Sequence, residues 1–111
     1  MEKEKKQVAI FGGIMSSNRF SVLQRNKNCF VCGTSQNIHI HEIFFGKNRK
    51  KSIEDGCCAY LCAKHHNMSN EGVHFNHEFD LYLKQIGQKR WMEFYGKTKE
   101  QFIKRYGKSY I

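Results

Sequence analysis

The chain has 111 residues and carries 19 Lys and Arg against 10 Asp and Glu, for a formal net charge of +9. That length fits one small domain and excludes a core large enough to be indifferent to a metal staple. The charge points to a polyanionic partner, of which nucleic acid is the commonest, and the longest apolar run, Val8 to Met15, is too short to span a bilayer, so no membrane partner is expected.

In chain order, residues 1–7 are charged and predicted to fray, and residues 8–25 form an ambiguous lead-in that Gly12-Gly13 interrupts. Lys3 to Met15 has the charge-then-apolar order of a signal peptide. It also has mixed charge and no clear small-x-small cleavage site, so it reads as a strand or helix of the mature protein, in the cytoplasm. Cys29-Phe30-Val31-Cys32-Gly33 reads as a tight knuckle, and Ile38 to Phe45 as a strand of β-branched and aromatic residues. Gly46 to Lys51 reads as a basic loop, Ser52 to Asp55 as one helical turn, and Cys57 to Leu61 as a second strand. A helix is predicted from Cys62 or Ala63 to about Asn70, ended by Gly72.

The rest is helical. Phe79, Leu83, Ile86, Trp91, Phe94 and Tyr95 form a stripe that opens at Asn76 as N-cap and stops at Gly96. Thr98-Lys99-Glu100-Gln101 matches a capping box ahead of Phe102, Ile103 and Tyr106. These aromatics are expected to pack over the metal module. The division is therefore 1–28 lead-in, 29–76 metal module, and 77–111 C-terminal helices, in an α+β chain.

Five cysteines and six histidines are present, and they cluster. An odd cysteine count at such spacings points to metal in a reducing compartment rather than to disulfides. Cys29 and Cys32 have zinc-knuckle spacing, and Cys62 and His65 repeat it, giving a Cys3His set for a structural Zn2+. Adjacent helical residues point about 100° apart, so His65 and His66 are expected to serve different sites. The converse, with His66 in the zinc set, stays open because Cys62 lies at i−4 from it. Cys57 and Cys58 would point to opposite faces of a strand, and core packing is their expected role.

The strand from Ile38 to Ile43 lies between the two zinc half-sites, and a hairpin followed by a helix, carrying a strand histidine and a helix histidine, resembles the ββα-metal fold of HNH endonucleases. The resemblance rests on Cys29-x2-Cys32, His41-Glu42-Ile43, and Leu61-Cys62-Ala63-Lys64-His65-His66-Asn67. Phe44-Phe45-Gly46-Lys47-Asn48-Arg49 and Gly72-Val73-His74-Phe75 are similar to small phage-encoded members, which would place the protein in a bacterial host's cytoplasm. The resemblance implies a general base on the strand and one catalytic divalent ion, such as Mg2+ or Mn2+.

His41 matches the base and His66 the helix ligand. Glu42 is accessory in that reading; in the alternative, His41 binds metal and Glu42 accepts the proton. The further ligand is His74, if a turn brings it back, or Asn70. Asn48 is the nearest match to the family's loop-steadying asparagine. Lys47, Arg49, Lys50 and Lys51 would grip phosphates. His39 reads as packing or phosphate contact, and His77 as solvent-facing. The function expected is hydrolysis of DNA phosphodiester bonds, with homodimerisation open. The competing reading is an inactive module that binds nucleic acid or a protein, for example a host defence nuclease.

Overall fold

In this computed structural model the described residues are 19–69 and 72–111; the expectations for residues 1–18, including Val8 to Met15, and for Asn70 lie outside them. Among the described residues the fold is α+β: one two-stranded antiparallel sheet, β1 (Ile38–Glu42) and β2 (Cys58–Cys62), and four α-helices, α1 (Arg49–Asp55), α2 (Ala63–His66), α3 (His77–Tyr95) and α4 (Lys99–Tyr106). None of these helices is long and apolar enough to cross a membrane.

The register pairs Ile38 with Cys62, Ile40 with Tyr60, and Glu42 with Cys58. Strand alternation then puts His39 and His41 on one face with Ala59 and Leu61, and Ile38, Ile40 and Glu42 on the other. β1 ends at Glu42, short of the predicted Phe45. Ile43 still donates to the Cys57 carbonyl, but Gly46 at φ 69° then turns the chain into a 3-10 turn, Gly46–Asn48.

The predicted basic loop is mostly helical: Arg49, Lys50 and Lys51 form the first turn of α1. Its inner face is fixed by buried Ser52, whose hydroxyl donates to the Cys57 carbonyl and accepts from the Phe44 amide. Gly56, left-handed at φ 72°, ends the helix. α2 stops at His66 rather than near Asn70, because the amides of Asn67 and Met68 both fold back onto the Ala63 carbonyl.

The C-terminal helices form at the predicted signals. The Asn76 side chain accepts from the Phe79 amide, Gly96 ends α3, and Thr98 and Gln101 complete a capping box. Ile43, Phe44, Leu61, Leu83, Trp91, Phe102 and Tyr106 make the core between sheet and helices. Ile103, expected on the packed face, is exposed, since the buried pair of α4 is Phe102 and Tyr106 at i, i+4. α3 approaches closely at Gly87, where a Cβ would meet Ile43 and Phe44 at 3.2–3.3 Å. Buried Asp55 joins the layers: it accepts from Trp91 Nε1 at 2.8 Å, Arg105 Nε at 2.7 Å and the Tyr106 hydroxyl at 2.7 Å.

Candidate metal centres

Two groups of side chains converge around the sheet and α2. The first is Cys29, Cys32, Cys62 and His65, whose ligand atoms all lie within 4.8 Å of one another. The knuckle is made by backbone: Cys29 accepts from Gly33 N at 2.9 Å and donates to Thr34 O at 2.8 Å, with Gly33 at φ 79°. Cys62 closes β2, and α2 returns His65 beside it.

The separations are 3.8 Å for Cys32 Sγ to Cys62 Sγ, 3.7 Å for Cys29 Sγ to His65 Nδ1 and 3.3 Å for Cys62 Sγ to His65 Nδ1. A zinc tetrahedron has edges of about 3.8 Å between sulfurs and about 3.6 Å between sulfur and nitrogen. The four residues fit structural zinc. Burial raises the Cys29 thiol, but hydrogen bonds from the backbone of Cys32, Cys62 and Val31 outweigh it and bring it down to about 6, toward the thiolate a metal needs.

Cys57 and Cys58 stand apart from this group. Both are fully buried, and burial pushes Cys57 well up and Cys58 up to about 11, so both remain protonated thiols. Cys57 packs in the core and Cys58 donates to the Phe20 carbonyl, as befits core residues.

The second group is His41, His66 and His74, again with one nitrogen each within 4.8 Å of the others. Its ring centroids are 5.4 Å apart for His41 and His66, 5.2 Å for His41 and His74, and 4.6 Å for His66 and His74. His66 Nε2 and His74 Nε2 are 3.0 Å apart. His41 is 3% exposed, and its Nε2 is buried without a hydrogen-bond partner. Burial, then the neighbouring His66 and His74, lowers His41 to about 3; burial and the charges of His74 and His39 lower His66 to about 4. Both imidazoles are therefore neutral near pH 7.

His65 and His66 fall in different groups, as their angular separation on α2 predicts. The turn that returns His74 is Gly72 to Phe75, a 3-10 turn over Val73–Phe75. Gly72 makes this possible by close approach: a Cβ there would sit 2.8 Å from the His66 carbonyl oxygen.

His41 and Glu42 face opposite ways. Glu42 Oε2 takes the Arg19 guanidinium on the other face of β1, its Oε1 is buried without a partner, and burial pushes its carboxyl up more than Arg19 holds it down. It is not part of either group. Asn48 donates to the Tyr106 carbonyl at 3.0 Å, tying the turn before α1 to α4. Lys47, Arg49 and Lys50 are exposed, whereas Lys51 is half-buried and donates to the Arg105 carbonyl at 2.9 Å. His77 is exposed at the start of α3.

Two contacts lie beyond the sequence reading. His39 Nδ1 is 2.8 Å from His66 Nδ1, a contact signalled only by its place two residues before His41 on the same strand face. Arg19 pairs with Glu42 across a separation in sequence that no motif marks. No family model matches the chain, and no curated protein or solved structure matches it.

Proposed function

We propose that this chain is a metal-dependent nuclease of the ββα-metal type that hydrolyses phosphodiester bonds in DNA. The observation that carries the reading is the convergence of His41, His66 and His74 around a buried, unpartnered His41 Nε2. A buried polar atom left unpaired is costly. One divalent ion would satisfy all three imidazoles together, and borderline ions such as Zn2+ or Ni2+ suit this donor set best. When bound, such an ion would act as a Lewis acid, stabilising charge on a phosphate and lowering the pKa of water toward neutrality.

The chain's residues do the rest. His41 and His66 present neutral nitrogens, and His74 brings a third nitrogen to the group. With Nε2 of His66 turned to an ion, its Nδ1 would carry the proton and donate to His39 Nδ1, which would fix its tautomer and ring angle. His41 takes the ligand's part, the second of its two sequence readings. Glu42, its companion in that reading, is engaged by Arg19 on the opposite face and receives no proton-accepting role here. Exposed Lys47, Arg49 and Lys50 contact DNA phosphates. The Cys3His group holds the knuckle to α2 and so holds the frame on which His66 stands.

The test is nicking of supercoiled plasmid with Mg2+, Mn2+ or Ni2+ against a chelator control. Wild type should nick only with added ion. His66→Ala and His74→Ala should retain zinc yet lose nicking by roughly 100-fold or more. A zinc-loaded wild type that cuts under none of these ions would sink the reading and leave a binding module for nucleic acid or protein.

A further inference from the structure

Lys84 stands beside the three-imidazole group without belonging to it. It projects from α3, and its side chain is 16% exposed, far less than a lysine on a solvated helix face. Its Nζ lies 4.2 Å from the centroid of the Phe45 ring. That ring is 6.1 Å from His41 and 6.3 Å from His74, centroid to centroid. Asp80 accepts from the same ammonium at 2.8 Å. An ammonium carries three donors, and Asp80 takes one of them.

The charge balance makes this placement informative. The three ligands are imidazoles, which bring no countercharge to a bound ion, and among the described residues no carboxylate stands with them. A divalent ion held there would keep its full charge, and Lys84 adds a further positive charge nearby. Asp80 offsets one unit of that charge, so a bound ion and Lys84 together would still leave a net positive site that an anion would balance. Phe45 supports the ammonium through its ring face but supplies no countercharge.

We propose that Lys84 is the phosphate-gripping residue of the three-imidazole group, holding the anionic oxygen of the phosphodiester that the ion also engages. The inference rests on the phosphodiester reading above and adds a residue to it. Lys84 is a point-charge donor from α3, so α3 contributes to the site rather than merely covering it.

The experiment uses the zinc-loaded full chain with Mn2+ and titrates inorganic phosphate into wild type, Lys84→Gln, Lys84→Arg and Asp80→Asn, with Lys89→Gln as a surface control. Lys84→Gln should bind phosphate roughly 10- to 100-fold more weakly, as loss of a charge-assisted contact predicts. Its Mn2+ affinity and zinc content should stay at wild-type values, because Lys84 is not a ligand. Lys84→Arg should recover most of the binding, and Asp80→Asn should bind at least as well as wild type.

With no divalent ion added, the slope of log affinity for DNA against log salt should fall by about one in Lys84→Gln, the value for one phosphate contact. In plasmid nicking the same variant should lose kcat/KM by a similar factor. Phosphate affinity and salt slope that are unchanged in Lys84→Gln overturn the proposal. So does an Asp80→Asn protein that binds phosphate more weakly, which also covers the case in which Lys84→Gln does not fold. If wild type grips phosphate through Lys84 but cuts DNA under no ion, the nuclease reading falls and the phosphate grip stands.

Discussion

His41 is the residue whose burial has the most direct thermodynamic consequence. Burial holds its imidazole at about 3 in the folded chain, against an ordinary value near 6.5. The folded form therefore binds no proton between those values while the unfolded chain does. Stability is complete above about pH 6.5 and is lost as pH falls toward 3. Between pH 7 and pH 5, without added divalent ion, His41 should account for about 2 kcal/mol of lost stability. Urea unfolding at the two pH values checks this: the loss in wild type should exceed that in His41→Gln by about that amount, and equal losses would exclude the mechanism. A second residue-scale prediction concerns zinc. Cys32→Ser and His65→Ala should each lose the single tightly held zinc and fold poorly, since binding and folding are coupled; a folded, zinc-free variant would remove the site. The zinc ligands were legible in the sequence because C-x2-C and C-x2-H carry their geometry in their spacing. For His41 the sequence left two roles open, base or ligand, because spacing fixes which face a strand residue takes but not what lies across from it. The convergence with His66 and His74 is what favours the ligand role.

At the scale of elements, the second group depends on a return that sequence periodicity does not report. α2 is a single turn, and its end is set by the Asn67 and Met68 amides closing on Ala63 rather than by a glycine. Gly72, read in sequence as a helix stop, instead lets the following chain lie against the backbone of His66, and that contact places His74. Its φ of −74° is ordinary, so the need for glycine is one of space and not of backbone conformation. The prediction is specific. Gly72→Ala must push the turn away from His66, so affinity for added Mn2+ should fall by at least tenfold while the zinc content of the Cys3His group is unchanged. Calorimetric titration of Mn2+, with zinc measured on the same samples, tests it; undiminished Mn2+ affinity would mean that the turn adjusts without moving His74. The helices α3 and α4 were legible for the opposite reason. Their caps, Asn76 and the Thr98–Gln101 box, are local chemistry that needs no tertiary partner.

The whole molecule sets a basic surface and a buried polar hub on opposite demands. Exposed Lys47, Arg49 and Lys50 cost little to hold in water and, under the proposed function, would meet phosphates, whereas Lys51 is drawn inward to the Arg105 carbonyl at the end of α4. Replacing the three exposed residues with Ala should lower the salt slope of DNA binding by roughly two to three, and adding Lys51→Ala should cost stability more than binding. Asp55 is where the sheet layer and the C-terminal helices are joined. It is 3% exposed and meets Trp91, Arg105 and Tyr106, while its carbonyl accepts from the Tyr95 hydroxyl at 2.9 Å. No sequence pattern marks it, because all four partners come from helices 36 to 51 residues away. Asp55→Asn keeps the shape but removes the charge that compensates Arg105 and one acceptor for the ring N–H and hydroxyl donors. Asp55 is buried but Arg105 is a third exposed, so the loss should be about 1–3 kcal/mol, that of leaving buried donors without a full acceptor. The zinc ligands lie on the knuckle, β2 and α2, so the loss should appear as loosening of α3 and α4 ahead of the metal module. Hydrogen exchange on Asp55→Asn should show early exchange in 77–106 with slow exchange kept in 57–62. Uniform acceleration across both segments would mean that the helices and the metal module unfold as one unit, with Asp55 stabilising all of it.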